Sequence, residues 1–152
     1  MKILMICLGN ICRSPLAQGI LEKKLIEHNL QWEVDSAGTA SYHVGNPPDG
    51  RSIDKAAEYD IDISAQRSRK VRSADLDYFD LILAMDASNY NKLLELSSKA
   101  EHDQKIKMIL NYSYPGINRQ VPDPYYDDGF ENVYRLLDEA CDKLIAVEAK
   151  KV

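Results

Sequence analysis

The first fifteen residues place a cysteine and an arginine at a spacing suited to phosphate chemistry. Cys7 follows a short apolar run, and five residues separate it from Arg13. The thiolate is the nucleophilic form of cysteine, and a guanidinium can bind two phosphate oxygens side by side. Held together on one loop, these two side chains predict a site that binds an oxyanion and attacks it.

The residues around this loop indicate how an anion would be held. Gly9 and Asn10 tolerate the unusual φ angles of a tight loop. Ser14 is predicted to cap the next helix or to hydrogen-bond the Cys7 sulfur, and Pro15 fits the first helical position. A helix starting here directs backbone N–H groups and the positive end of its dipole at the anion. The loop lacks the Gly-Lys-Ser/Thr ending of a Walker A motif, which argues against nucleotide binding of that kind.

Length and composition are typical of one globular domain, predicted over residues 1–152. Hydrophobic residues make up 45% of the chain, charged residues make up 28%, and the formal net charge is −5. An acidic chain disfavours nucleic-acid and membrane partners, so any attraction for an anion must be local. Three cysteines do not form an even disulfide framework, and no segment reaches membrane-spanning length. We therefore expect a cytoplasmic protein.

Segments with strand and helix patterns alternate along the chain, which favours a parallel sheet covered by helices. Strands are predicted at residues 3–7, 32–35, 80–85 and 105–110. Helices are predicted at residues 15–28, 51–59, 89–96 and 130–147, the last with Cys141 on its core side. We expect an α/β three-layer sandwich, with helices on both faces of a four-stranded, twisted parallel sheet.

Two long loops and one basic loop are predicted between these elements. Residues 36–50 are rich in Gly, Ser and Pro, and residues 112–129 contain several Pro and Gly. Ligands of open parallel sheets bind beyond the carboxyl ends of the strands, where Cys7 lies. We expect both long loops to reach that end. The basic run at 67–72 is predicted to be solvated surface that could steer anionic peptides.

The segment from Cys7 to Pro15, CLGNICRSP, resembles the signature of the low-molecular-weight protein tyrosine phosphatases. Residues 35–39, 79–86 and 121–126 continue the resemblance in the family's order, so that it covers essentially the whole chain. It implies a Rossmann-like phosphatase fold. It also implies hydrolysis of phosphotyrosine and small aryl phosphates through a cysteinyl-phosphate intermediate, without cofactor or metal.

The resemblance assigns roles to individual residues. It implies that Cys7 is the nucleophile, that Arg13 binds phosphate, and that Asp123 is the general acid and then the general base. Asp123 stands between two prolines, which restrict its backbone. The residues implied in substrate binding are Leu8, Gly9, Asn10, Ile11, Cys12, Ser14, Tyr42, Tyr125 and Tyr126.

A polar network around the loop is also implied by the resemblance. Asn10, Ser14 and Ser36 would fix the loop backbone, and Asp86 would lie farther out. Gln66 stands where many members have a histidine, so pH tuning by that position is not implied here. Tyr42 stands where other members have Trp or another bulky residue, so substrate preference does not transfer.

Two further features have more than one interpretation. Cys12 either fills space beside the nucleophile or forms a reversible disulfide with Cys7 that protects it from overoxidation. The three histidines (His28, His43 and His102) are far apart in sequence, on segments predicted to be exposed, so we expect no metal site.

The predicted partners are phosphotyrosine-containing proteins or peptides. Tyr125 and Tyr126 are candidate targets of a tyrosine kinase. We expect the protein to be a monomer. Arsenate reductase on the same fold is disfavoured because residues 80–96 contain no relay cysteine. Protein arginine phosphatase is disfavoured because Ile11 replaces the small Thr of such relatives and should pack on a phenol ring. A non-catalytic phosphate-binding module would not need Cys7, Arg13 and Asp123 together.

Overall fold

The computed structural model describes residues 1–151, in which four strands form one parallel sheet. The strand order is β2-β1-β3-β4. The strands are β1 (Lys2–Cys7), β2 (Glu33–Gly38), β3 (Leu81–Ala84) and β4 (Ile106–Met108). The order reverses between β1 and β3, and open sheets of this kind have their binding crevice at the carboxyl ends of such strands.

Within residues 1–151, six α-helices connect or follow the strands. They are α1 (Arg13–Glu27), α2 (Gly50–Ala57), α3 (Ser73–Tyr78), α4 (Ala87–Leu96), α5 (Ala100–Lys105) and α6 (Phe130–Glu148). Short 3₁₀ turns cover Ile109–Asn111 and Ala149–Lys151. No helix among residues 1–151 is long and apolar enough to span a membrane.

Two apolar clusters pack against opposite faces of the sheet. Ile3 and Met5 of β1 pack with α1 and α6, whereas Leu4 and Ile6 pack with α3 and α4. Successive strand residues point to opposite faces, so a strand covered on both faces must be apolar throughout. Each such side chain contributes about 1.5–3 kcal/mol by leaving water. The predicted three-layer arrangement is therefore confirmed.

The predicted elements are present, but several of their boundaries differ. β2 continues to Gly38, so the loop predicted from residue 36 begins at Thr39. β4 is limited to Ile106–Met108 because the next residues tighten into a 3₁₀ turn. Helices α3 and α5 were not predicted, because six residues are too few to establish a helical period. The Asp75 carboxylate starts α3 by accepting the Arg72 N–H at 2.8 Å.

Two expectations about polar residues are wrong. His102 is buried rather than exposed, because its Nε2 lies 2.7 Å from Asp77 Oδ1 and joins α5 to α3. Arg69, in the predicted solvated basic run, instead bonds Asp35 and Asp75. Within the described residues, no three His, Cys, Asp or Glu side chains cluster closely enough to hold a metal ion.

Gly38 ends β2 where a side chain would collide with the loop after β1. A Cβ at this position would lie 2.7 Å from the Leu8 carbonyl oxygen and 3.2 Å from the Asn10 nitrogen. Because these are backbone atoms, Gly38→Ala is expected to lower the free energy of unfolding by about 2 kcal/mol, measured in urea. Gly50→Ala is the control, since apart from its chain neighbours and the backbone of its own helix no described atom lies within 4 Å of a Cβ there. An equal loss in both variants would contradict the steric explanation.

Candidate active site

A cavity of about 210 Å³ opens at the carboxyl end of β1, next to the reversal of strand order. Its lining residues are Cys7, Leu8, Gly9, Ile11, Cys12, Arg13, Tyr42, His43, Asp123, Tyr125 and Tyr126. Every predicted site residue is among them except Asn10 and Ser14, and His43 was not predicted. The structure thus brings together groups separated by more than a hundred residues in sequence.

A larger cavity of about 700 Å³ lies elsewhere, beside the edge strand β4 and between α4 and the end of α6. Tyr90, Lys107, Tyr112 and Glu148 contribute to its walls, which contain no cysteine and no arginine. It therefore offers none of the groups predicted to act on a phosphate. The smaller cavity is the candidate active site because of its chemistry rather than its size.

Residues 8–12, here called the cysteine loop, have carbonyl groups that are held by the surrounding chain. These hydrogen bonds are 2.8–3.1 Å long. Leu8 O accepts from Ala40 N, Gly9 O from Ser68 Oγ, Ile11 O from Asp49 N, and Cys12 O from Ser52 Oγ. No group in the described part of the chain accepts a hydrogen bond from the loop's own N–H groups. One residue of the loop, Asn10, has a left-handed backbone. Free N–H groups on both sides of such a residue form a concave anion site.

Arg13 is anchored from one side of its guanidinium. The side chain is 3% exposed, and Nη1 donates to Asp86 Oδ2 at 2.8 Å and to the Val121 carbonyl at 3.0 Å. Asp86 was expected farther out, but it contacts Arg13 directly because it follows β3, the neighbour of β1. With Nη1 occupied, the other N–H groups of the fork remain available to an anion.

Asp123 shares the cavity with Arg13. Its Oδ2 lies 3.7 Å from Arg13 Nη2, and its side chain is 33% exposed. Its Oδ1 accepts the backbone N–H of Tyr125 at 3.0 Å. The rings of Tyr125 and Tyr126 meet edge to face, with centroids 5.0 Å apart, and both line the cavity. A partly exposed carboxyl group, a guanidinium and two aromatic rings therefore line the same cavity.

Residues 2–152 match the family model of the low molecular weight phosphotyrosine protein phosphatases. The chain belongs to this family. The human low molecular weight phosphotyrosine protein phosphatase is 38% identical over 92% of this chain and 90% of its own length. The chain is accordingly a protein tyrosine phosphatase, as its sequence predicted.

Solved structures of the same fold extend the comparison. The crystal structure of YfkJ from Bacillus subtilis gives a TM-score of 0.94 at 36% identity, covering 99% of this chain and 96% of that one. The crystal structure of a Drosophila arginine phosphatase gives a TM-score of 0.89 at 32% identity, covering 96% of each chain. The phosphatase fold is thus shown, and it is shared with a protein named for a different substrate.

A buried network holds the cysteine loop of this phosphatase from behind. Asn10 has a φ of 57°, and its Nδ2 donates to Ser14 Oγ at 2.8 Å and to Ser36 Oγ at 2.9 Å. Its Oδ1 accepts the Arg69 N–H at 3.0 Å. Neither Asn10 nor Ser14 places its side chain in the cavity lining, because both side chains are used to fix the backbone.

Ser14 contacts the cysteine sulfur instead of capping α1. The helix begins at Arg13 with Cys12 at the N-cap, which makes no side-chain cap bond, so the predicted cap is wrong. Ser14 Oγ lies 3.0 Å from Cys7 Sγ. Because this oxygen accepts from Asn10, its proton is free to be donated to the sulfur.

The other two cysteines are in environments that keep them neutral. Burial raises the pKa of the Cys12 thiol to about 12, and the nearby carboxylate of Asp49 adds to the effect. Burial also raises the pKa of Cys141 to about 12, on the core side of α6 as predicted. All three cysteines are free thiols.

His43 is the cavity residue that the sequence prediction missed. A Cβ built on Gly9 would lie 3.0 Å from the His43 ring, so the imidazole lies directly against the cysteine loop. Its neighbour Tyr42 is largely exposed, with the two rings edge to face. The sequence feature that could have indicated His43 is its position next to Tyr42, in a loop predicted to reach the site.

Gln66 does not line the cavity. Its Nε2 donates to the Pro15 carbonyl at 3.1 Å, in the first turn of α1. The side chain therefore supports the start of the helix behind the cysteine loop.

Asn10→Ala tests whether the buried network around Asn10 fixes the backbone conformation of the cysteine loop. Asn29 is the matched control, because it also has a positive φ (55°) but is exposed and makes no side-chain hydrogen bond within residues 1–151. Replacing either asparagine by alanine in this conformation should cost about 1–2 kcal/mol. Asn10→Ala should cost about 2 kcal/mol more, since buried hydrogen bonds are lost.

The readouts are urea unfolding and turnover of p-nitrophenyl phosphate. Asn29→Ala should turn over the substrate at the rate of the unsubstituted enzyme. Asn10→Ala should lose about 10-fold or more in kcat/KM, because misplaced donors stabilise the transition state less well. Equal turnover of the two variants would show that the network does not fix the backbone conformation of the cysteine loop.

Proposed function

We propose that this phosphatase cleaves phosphotyrosine in proteins and peptides with Cys7 as nucleophile, Arg13 as phosphate ligand and Asp123 as general acid and base. The observation that supports the proposal best is that these three side chains line one cavity closed below by the free N–H groups of the cysteine loop. A phosphoryl group at this position would meet a nucleophile, a positive field and a proton donor at once.

In the first step, the Cys7 thiolate attacks phosphorus and forms a P–S bond. The bond from phosphorus to the tyrosyl oxygen breaks, its electron pair goes to that oxygen, and the Asp123 carboxyl supplies the proton. The products of this step are a free tyrosine side chain and a cysteinyl-phosphate enzyme. The hydroxyl of Ser14 lies 3.0 Å from the attacking sulfur, within hydrogen-bond distance.

In the second step, the Asp123 carboxylate removes a proton from a water molecule that attacks phosphorus. The P–S bond breaks, and its electron pair returns to the Cys7 sulfur as inorganic phosphate is released. Ser14 now stabilises the leaving thiolate. Throughout both steps, Arg13 and the loop N–H groups hold the equatorial phosphate oxygens, where transition-state charge develops.

The shape of the cavity favours a phosphorylated aromatic side chain. Cys7 lies at its base and is only 3% exposed, whereas Tyr125 and Tyr126 lie at its opening. A phosphate on a tyrosine ring can reach this depth, while a phosphate on serine is held closer to the peptide backbone. Ile11 in the wall offers an apolar surface for the ring and no hydrogen-bond acceptor for a guanidinium.

The alternatives are less well supported. A related fold occurs in a protein named arginine phosphatase, so the fold itself does not choose between the substrates, but Ile11 favours the aromatic one. Arsenate reduction would need a second reactive thiol to relay a disulfide. Cys141 is fully buried in α6, and the Cys12 thiol has its pKa raised to about 12.

We also propose a reducing compartment, the cytoplasm, because the nucleophile must remain a thiol and all three cysteines are free. Tyr126 is 84% exposed and Tyr125 is partly exposed, which makes both accessible to the tyrosine kinase proposed to act on them.

Cys7→Ser tests the nucleophile, with Cys141→Ala as the control for loss of a thiol. With p-nitrophenyl phosphate and no added metal, Cys7→Ser should lose about 10⁴-fold in kcat, because a hydroxyl in this site is a far weaker nucleophile than a thiolate. Cys141→Ala removes a sulfur from the core and should retain turnover. Undiminished turnover of Cys7→Ser would rule out the cysteinyl-phosphate intermediate.

Asp123→Ala tests the general acid, with Asp127→Ala as the control from the same segment. A general acid contributes about 10²–10⁴-fold and matters most when the leaving group is a poor one. We therefore expect kcat/KM to fall about 10²-fold or more for phenyl phosphate and clearly less for p-nitrophenyl phosphate. Asp127→Ala should leave both values unchanged. A uniform fall for the two substrates would mean that Asp123 does not protonate the leaving oxygen.

A further inference from the structure

The first turn of α2 is attached to the cysteine loop. The Asp49 N–H donates to the Ile11 carbonyl at 2.8 Å. The hydroxyl of Ser52, which is fully buried, donates to the Cys12 carbonyl at 3.1 Å. These bonds come from the N-cap residue and from the first turn of one helix, so the start of α2 is held against the cysteine loop.

Arg51, in the same turn, binds the segment that carries Asp123. Residues 121–129 are here called the acid loop. Arg51 Nη2 donates to the Tyr125 carbonyl at 3.0 Å, and Nη1 donates to Asp128 Oδ1 at 2.7 Å. The guanidinium carbon also lies 5.4 Å from the centre of the Tyr125 ring and 4.9 Å from that of Phe130. Arg51 therefore contacts the acid loop at several points.

The Asp49 carboxylate also binds the guanidinium of Arg51. Its Oδ1 accepts from Nε at 3.0 Å and its Oδ2 from Nη2 at 3.1 Å, a bidentate pair. The hydrogen bonds from Arg51 hold the pKa of the Asp49 carboxyl below its ordinary value, so the pair stays charged. Because the same Asp49 bonds Ile11, direct contacts run from the cysteine loop through Asp49 and Arg51 to Tyr125.

The peptide groups around Tyr125 connect this chain of contacts to Asp123. The Tyr125 carbonyl accepts from Arg51, while its N–H donates to Asp123 Oδ1 at 3.0 Å. We propose that Arg51 is a positioning residue that holds the Asp123 carboxyl in register with Cys7 and the cysteine loop. This inference rests on the proposed role of Asp123 as general acid.

Few other contacts could perform this task. In the described structure, residues 122–128 make hydrogen bonds or ion pairs to the rest of the body only through Arg51 and through the Arg13–Asp123 pair at 3.7 Å. The remaining bonds of this stretch are local, such as Asp128 N to the Pro124 carbonyl. Without Arg51, residues 122–128 would keep only the long Arg13–Asp123 ion pair, and the nearest other anchors would be the bonds of Val121 and Gly129 at the ends of the acid loop.

Positioning and stability can be separated at Arg51. The side chain is 41% exposed, and ion pairs at such sites contribute little to the free energy of unfolding. Asp49 caps α2 by accepting the backbone N–H of residue 51, and this N–H is retained in Arg51→Ala and Arg51→Lys. A displacement of the carboxyl by about 1 Å, in contrast, can cost up to 10²-fold in rate.

The experiment compares kcat/KM of Arg51→Ala on two substrates with different leaving groups. We expect a loss of about 10-fold on phenyl phosphate and about 2-fold or less on p-nitrophenyl phosphate, because only the poor leaving group needs a well-placed acid. Inhibition by inorganic phosphate and the melting temperature should be nearly unchanged. Arg135→Ala is the control, since Arg135 is an exposed arginine paired with Glu131 on α6. It should alter none of these values.

A double variant identifies the residue through which Arg51 acts. In the Asp123→Ala background, Arg51→Ala should cause no further loss on phenyl phosphate. An equal loss on both substrates, or a full additional loss in the double variant, would overturn the positioning role. Should Arg51→Ala not fold, Arg51→Lys is used: it keeps the charge but loses the fork, and the loss should have the same direction.

The two proposals fail in different ways. If Asp123→Ala shows no dependence on the leaving group, the general-acid assignment fails, and the role of Arg51 fails with it. If Asp123→Ala shows the dependence and Arg51→Ala does not, only the role of Arg51 is overturned.

Discussion

The left-handed backbone at Asn10 is the constraint on which the active site depends. A φ of 57° at this residue turns the cysteine loop so that its carbonyls meet the surrounding loops and its N–H groups stay free. The side chain of Asn10 holds this conformation through Ser14, Ser36 and the Arg69 backbone. The donors for an anion are therefore in place before substrate binds, and their reorganisation costs nothing during the reaction.

Arg13 connects this preformed loop to the rest of the sheet. Its Nη1 reaches Asp86, which follows β3, and the carbonyl of Val121, at the start of the acid loop. The chain as a whole is acidic, with a formal net charge of −5, so the positive field of the site is local. It comes from one buried guanidinium, the free N–H groups and the start of α1.

The fold and the centre of the site could be predicted from the sequence, but the contacts between distant segments could not. The continuous apolar strands and the Cys7–Arg13 loop could be predicted because each is contiguous. For Ser14 the sequence left two roles open, the helix cap and the hydrogen bond to the Cys7 sulfur, and the function of Asp86 depended on tertiary neighbours that no local pattern specifies. His43 was missed for the same reason, since its proximity to Gly9 is created by a loop that folds back from β2.

The two groups proposed to react in the cavity, Cys7 and Asp123, have different surroundings and lie on different elements. In the proposed mechanism, Cys7 attacks from the base of the cavity, where it is buried and lies 3.0 Å from the Ser14 hydroxyl. In the same mechanism, Asp123 exchanges protons with the phenol and then with water, and its partial exposure permits this. A strand end suits the first role and a proline-rich surface loop the second. Such a division requires a connection between the two elements, and the first turn of α2, which touches both loops, provides one.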